Sequence, residues 1–127
     1  MPRITGGQFK GLWLVTPRHI RATSDKVRQA LFNILGDRVV GAWVLDGFAG
    51  SGALGLEALS RQAQGVVFVE RHPACVAAIR KNLARLPPHA ASGSCELMAG
   101  DALAELQRLG RQGRSFDVIL LDPPYDS

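Results

Sequence analysis

Short apolar runs alternate with helical patterns from residue 42 onward, and this alternation most restricts the fold. Trp43-Val44-Leu45 reads as a buried strand, and Gly65 to Glu70 (GVVFVE) as a second. Cys95 to Met98 is a weaker third, and Phe116 to Leu121 (FDVILL) a fourth with a near-continuous apolar run. Between them lie three helical patterns. The first carries Leu54, Leu56, Ala58 and Leu59; the second starts at Pro73, with Val76, Ile79, Leu83 and Leu86 on its apolar side; the third is Ala102 to Leu109. Helical crossovers between apolar strands require a parallel sheet covered on both faces. Right-handed crossovers make it a doubly wound α/β sheet. A length of 127 residues suits one such domain and allows a core without disulfide support.

The first third of the chain differs. Arg3-Ile4-Thr5 and Phe9 to Val15 flank Gly6-Gly7, which predicts a β-hairpin. Pro17 breaks the second arm. Thr23 or Ser24 is placed to cap a helix whose Val27, Ala30, Leu31, Ile34 and Leu35 fall at helical spacing, with Gly36 to end it. Residues 1–38 hold seven Lys and Arg against two Asp, a net +5, while the remainder is −1. The positive excess is therefore a flexible basic arm or a phosphate-facing surface. No apolar run approaches the ~20 residues that span a bilayer, and the N-terminal string MPRITGGQFKG lacks the apolar stretch of a secretory signal. Cys75 and Cys95 have no partners at metal-ligand spacing, so a reducing cytoplasm is the expected compartment.

Ligands of open α/β sheets bind beyond the carboxyl ends of the strands. Those ends read Asp46-Gly47-Phe48-Ala49-Gly50-Ser51-Gly52, then Glu70, then Asp101-Ala102, then Asp122-Pro123-Pro124-Tyr125. Each carries a carboxylate, and acids at strand ends cost desolvation unless something uses them. The glycine loop follows a strand and opens a helix, so it offers backbone N–H groups to a ligand. Glu70 stands 24 residues after Asp46, where a carboxylate accepts both ribose hydroxyls. Gly50-Ser51-Gly52-Ala53-Leu54-Gly55 also fits the dinucleotide fingerprint. Asp46 directly before the loop argues against a pyrophosphate and for the cationic S-adenosylmethionine. No Walker lysine is present.

Asp122-Pro123-Pro124-Tyr125 is either a proline-stiffened turn or a clamp for a planar amino group. As a clamp, the Asp122 carboxylate and Pro123 carbonyl each accept one N–H. The prolines contribute no misdirected donor, and Tyr125 offers a stacking face. Such a nitrogen attacks a methyl group without a strong base, so alignment supplies much of the rate.

The set DGFAGSG, Glu70, Asp101-Ala102 and DPPY resembles class I S-adenosylmethionine-dependent methyltransferases that modify amino nitrogens. The blocks RITGGQFKG at 3–11, TP at 16–17, RATSDKVRQALFNIL at 21–35 and GFAGSGALGLEALSR at 47–61 closely resemble bacterial 16S ribosomal RNA guanine-N2 methyltransferases of the guanine-966 type. That resemblance implies a Rossmann-like, mostly parallel sheet, with a basic hairpin extension over residues 1–20 and a cofactor domain over 21–127. It implies that Asp46, Gly47, Phe48, Ala49, Gly50, Ser51 and Gly52 wrap the methionine part of S-adenosylmethionine. Glu70 would bind the ribose, Asp101 and Ala102 the adenine, and Thr23, Ser24 and Arg28 would lie near the methionine end. Asp122, Pro123, Pro124 and Tyr125 would hold the target guanine, while Arg3, Lys10, Arg18 and Arg21 grip RNA phosphates.

The implied partner is 16S rRNA, within an assembling small subunit; no metal and no membrane are implied, and a monomer is the expected state. Two positions depart from the family pattern: Ala22 stands where proline is usual, which loosens the helix entry, and Gly47 where leucine is common, which makes the loop more flexible. A complete fold of this class adds three strands after DPPY, about 50 residues or more at ~15–25 per strand and helix. A truncated chain with a bare fourth-strand edge is thus expected. Methylation of another amino nitrogen, such as adenine N6 of DNA, and a non-catalytic RNA- or cofactor-binding fragment remain as alternatives.

Other residues draw plainer readings. His19, His72 and His89 are surface residues, and both cysteines are core filler. Trp13 stacks on RNA or packs on the hairpin. Arg108, Arg111 and Arg114 form a solvated basic face or a second RNA site, and Asp117 is a turn residue.

Overall fold

A computed structural model of the chain describes residues 2–18, 20, 23–87 and 94–123. Helix α1 (Asp25–Leu35) leads through a 3-10 turn (Gly36–Val39) into β1 (Trp43–Asp46). Then follow α2 (Ala53–Ser60), β2 (Gly65–Glu70), α3 (Pro73–Ala84), β3 (Ser94–Ala99), α4 (Ala102–Arg111) and β4 (Val118–Leu120). The expected alternation holds, and all described strand pairs are parallel, in the order β3-β2-β1-β4. The strand order reverses beside β1: the chain moves outward to β3, then crosses back to place β4 on the other side of β1. Such a switch point opens a crevice at the carboxyl ends of β1 and β4.

Period-2 alternation divides the strands between two cores. Val44, Val66 and Phe68 face one cluster, which includes Ile79 of α3, Leu56 and Leu59 of α2, and Phe32 of α1. Leu45, Val67 and Val69 face the other, closed by Leu109 of α4 with Leu106 and Met98 against it. Every residue of α2 is buried. Asp117 is more than a turn residue: its N–H donates to the Trp43 carbonyl at 2.8 Å, and its Oδ2 accepts from Trp43 N at 2.9 Å.

Three expectations need correction. The fourth strand is shorter than residues 116–121, and Ile119 and Leu121 are exposed at that edge. The hairpin is reduced to one antiparallel bridge, Arg3 to Trp13. Its reversal runs through residues 6–11 and is pinned to the end of α2: Gln8 N donates to the Ser60 carbonyl, Phe9 N to Ser60 Oγ, and Ser60 Oγ to the Gly6 carbonyl. Gly7 has φ +79°, and a Cβ there would lie 2.0 Å from Ser60 O, so no other residue allows this approach. Ile4, Phe9 and Leu14 enter the same core cluster as the sheet.

The third correction concerns the face of α1. Val27 is 57% exposed and Ile34 77%, although both belong to the predicted apolar stripe. The helix instead buries Arg28 and Phe32, with Leu31 and Leu35 partly covered. The cause is an ion pair. Arg28 Nε donates to Glu57 Oε1 of α2 at 3.0 Å, and both side chains are fully buried. Glu57 also accepts from Thr5 N, Thr5 Oγ1, Gly6 N and Arg61 Nε. Burial alone would raise this carboxyl's pKa; its hydrogen bonds from Thr5, Arg61 and Arg28 outweigh that and hold it below the usual range.

Helix α3 keeps most of its expected apolar side, with Ile79 and Leu86 buried and Leu83 packed against the core. It buries Cys75, Ala78, Ile79 and Asn82, while Val76 and Leu83 are half-buried. The Asn82 amide exchanges two hydrogen bonds with the Val15 backbone and donates to the Ser51 carbonyl at 2.9 Å. Cys95 is exposed on β3 rather than core filler.

Removing one member of a buried pair strands the other charge. Glu57→Ala is therefore expected to lower the unfolding free energy by about 3–5 kcal/mol. Urea denaturation followed by circular dichroism checks this, and Val27→Ala on the exposed side of α1 is expected to cost less than about 0.5 kcal/mol.

Candidate cofactor and substrate cleft

The carboxyl ends of β1, β2 and β4 converge on two cavities that share Phe48, Glu70 and Arg71. One, of about 260 Å³, reaches toward Thr23, Gly50, Ser51 and Asp122. The other, of about 280 Å³, is walled by Gly47, Gly100, Asp101 and Ala102. Residues from four strand ends and from the approach to α1 thus line two adjoining cavities, together called the cleft.

Asp46 ends β1 beneath the loop and is fully buried. Its Oδ2 accepts from Gly55 N at 3.0 Å. Gly55 is in the first turn of α2, whose N-cap, Gly52, takes φ +86° and has no side chain to cap with. Asp46 therefore caps that helix from the neighbouring strand, at the positive end of its dipole. Asp46 Oδ1 is buried and has no hydrogen-bond partner among the described residues. Burial pushes the Asp46 pKa up to about 7; the Gly55 N–H opposes this, and the charges of Asp122 and Glu70 add to it.

Glu70 is anchored by backbone amides. Its Oε1 accepts from Gly50 N at 2.8 Å, and its Oε2 from Arg71 N and His72 N. It ties the loop after β1 to the start of α3, with one acceptor site left on Oε1 for a ligand. Asp101 caps α4 by accepting from Ala104 N at 3.1 Å, with Arg71 Nη1 at 3.8 Å from Oδ1. Asp122 Oδ2 accepts from Thr23 Oγ1 at 2.6 Å.

The cleft includes Gly47, Phe48, Ala49, Gly50, Ser51, Glu70, Asp101, Ala102, Thr23 and Asp122. Asp46 and Gly52 lie behind it. Two expected cofactor residues are engaged elsewhere. Ser24 caps α1 by accepting from Val27 N. Arg28 spends its donors on Glu57, Asp25, the Thr23 carbonyl and the Arg3 carbonyl. Gly47 is held rather than loosened: its N–H donates to the Leu120 carbonyl at 2.9 Å, and a Cβ there would meet the Leu121 side chain at 2.4 Å. Pro123 is exposed. Pro124, Tyr125, Arg21, Ala22, His19 and His89 lie outside the described residues.

Arg71, Ile20 and Cys75 also line the cleft, although the sequence pattern does not single them out for it. Arg71 carries a signal, since it follows the acid at a strand end. His72 is more than a surface residue: its Nδ1 accepts from Ala74 N and caps α3. On the remote surface, Arg114 pairs both of its terminal nitrogens with Glu96. Trp13 is half exposed, with the Arg3 guanidinium 5.5 Å from its ring centre. Arg3, Lys10 and Lys26 border a shallow groove with Asp25 and Gln29.

Residues 2–127 match the family described as Conserved hypothetical protein 95. The chain belongs to that family. Ribosomal RNA small subunit methyltransferase D of Escherichia coli strain K12 is 41% identical over 125 residues, covering 97% of this chain and 60% of that protein. The protein of the same name from Haemophilus influenzae is 39% identical over 97% of this chain and 63% of its own length. A hypothetical protein of Thermus thermophilus superimposes with a TM-score of 0.82 at 32% identity, over 98% of this chain and 70% of that chain. The chain thus spans about three-fifths of the curated relatives' length, and the family resemblance read from the sequence holds.

A carboxyl whose folded pKa lies above its unfolded value keeps its proton longer when folded. The unfolded chain then releases its proton first, so rising pH favours unfolding. Asp46 thus contributes a loss of stability from about pH 4 to about pH 7, then a plateau. In Asp46→Asn, this dependence is expected to disappear, with a gain of about 1–3 kcal/mol at pH 8. Denaturant titrations at pH 5, 6, 7 and 8 check it.

Proposed function

We propose that the protein transfers a methyl group from S-adenosylmethionine to an exocyclic amino nitrogen, guanine N2 of 16S ribosomal RNA, in an assembling small subunit. The observation that carries this reading is the meeting of Glu70 and Asp122 on one cavity at the switch point of a parallel sheet, with Asp46 buried behind the loop that lines it. A buried carboxylate oxygen without a partner, Asp46 Oδ1, beneath a cleft with two further acids fits a cationic ligand better than a pyrophosphate.

Asp46, buried behind the loop, would act on the charged methionine end through its field, Phe48 to Ser51 would line that end, Glu70 would accept from the ribose, and Asp101 and Ala102 would border the adenine. When bound, S-adenosylmethionine supplies an activated methyl group on a sulfonium. Asp122 and the Pro123 carbonyl would accept the two amino hydrogens, turning the nitrogen lone pair toward that methyl. As the nitrogen–carbon bond formed at the expense of the methyl–sulfur bond, the excess proton would leave the nitrogen along its hydrogen bond to the Asp122 carboxylate, and no stronger base would be needed. Pro124 and Tyr125 would wall the base. Arg3, Lys10, Arg18 and Arg21 would hold RNA phosphates, with residues 1–20 as the RNA-contacting segment and 21–127 as the cofactor domain.

The test uses radiolabelled cofactor with 16S rRNA, assembling small subunits and DNA in parallel. Label in the RNA or the particle is expected; label only in DNA contradicts the substrate assignment. Asp122→Ala is expected to lower transfer by about 100-fold or more while leaving RNA affinity nearly intact. RNA binding is expected to weaken steeply with salt, and Lys10→Gln and Arg18→Gln each to reduce the log–log slope by about 1. Point substitutions suit this measurement, because Ile4, Phe9 and Leu14 belong to the core.

A further inference from the structure

We propose that Thr23 is a positioning residue: its hydroxyl fixes the Asp122 carboxylate, and a buried ion-pair network fixes Thr23. This deepens the proposed function and rests on it for the kinetic readout alone.

The terminal torsion of an aspartate is soft, and Asp122 is exposed two residues beyond the three-residue strand β4. Neither feature by itself aims a carboxylate. The Thr23 hydroxyl donates to Asp122 Oδ2 at 2.6 Å, within the range of a charge-assisted hydrogen bond. Because 99 positions separate the two residues, this bond ties the end of β4 to the approach to α1. It occupies one carboxylate oxygen and leaves Oδ1 to accept from an amino group. Both residues line the same cavity.

Thr23 is itself held from behind. Its carbonyl accepts from Arg28 Nη1 at 3.2 Å. Arg28 is locked by buried Glu57, by Asp25 and by the Arg3 carbonyl. An order of contacts therefore runs from Glu57 in the core through Arg28 and Thr23 to Asp122 on the rim. A neutral donor also suits the electrostatics. Lysine or arginine at this position would hold Asp122 as well, but it would place a positive charge in a cleft proposed to take a cation. A hydroxyl orients the carboxylate and leaves its charge intact.

The test compares Thr23→Val, which keeps the shape and removes the donor, with Thr23→Ser, which keeps the donor. Both are expected to melt like the wild type by circular dichroism. The side-chain carboxyl carbon resonance of Asp122, assigned by NMR, is expected to move in T23V and to stay at the wild-type position in T23S. In methyl transfer, T23V is expected to lower kcat by about tenfold or more, with the cofactor KM changed less than about threefold, and T23S to restore kcat. An Asp122 resonance in T23V superimposable on the wild type overturns the proposal, as does a shifted resonance with unchanged kcat. A wild-type protein that methylates no nucleic acid, while the resonance still moves in T23V, supports the positioning of Asp122 and overturns the proposed function alone.

Discussion

The buried Glu57 carboxylate organises this chain. It sits on α2, a helix with no exposed face, and collects hydrogen bonds from Thr5, Gly6, Arg28 and Arg61. A single side chain thereby joins the N-terminal reversal, α1 and α2. Its charge is expensive to bury, and the five donors that meet it leave little freedom in how those segments dock. The rotation of α1 follows from Arg28, and the approach of residues 6–9 to Ser60 completes the same junction.

Topology imposes the opposite electrostatics on the rim. Parallel strands all end on the same side, so carboxylates at their carboxyl ends gather there, and Arg71, 3.8 Å from Asp101 Oδ1, offsets only part of their charge. The chain manages the resulting repulsion in three ways. Asp46 caps α2, and its burial favours the protonated form. Glu70 spends itself on three backbone amides, and Asp122 is met by a neutral hydroxyl. The cleft is consequently acidic while its neighbour, the N-terminal segment, is basic. That division of sign suits a cationic small molecule on one side and a polyanion on the other.

Much of the fold is legible in the sequence because it rests on local periodicity. The pattern marks the strand Gly65–Glu70 and the helix start at Pro73 to the residue, and Gly36 does cap α1 with φ +54°. The acids at strand ends are legible because alternation of strand and helix fixes where each strand points. The misreadings share one cause. Hydrophobic patterning leaves Arg28 and Asn82 off the apolar faces it marks, yet each is buried because its partners come from distant segments. Glu57 turns α1 away from the face marked by Val27 and Ile34, whereas Val15 and Ser51 add Asn82 to a side of α3 that still buries Ile79. Likewise Gly6-Gly7 signals a tight hairpin, whereas docking against Ser60 spreads the reversal over residues 6–11. In the cleft, Arg28 is misplaced for the same reason, and the bond between Thr23 and Asp122 joins residues that no local signal connects.

The central claim, that the cleft between the Asp46 loop, Glu70 and Asp101 takes an adenosyl ligand, is tested most directly by amide NMR during titration with S-adenosylhomocysteine, which is chemically inert here. The account predicts saturable shifts centred on Phe48, Gly50, Glu70 and Ala102, and their loss in Glu70→Ala. Shifts confined to the groove around Lys10 and Lys26, or none at millimolar ligand, would contradict it.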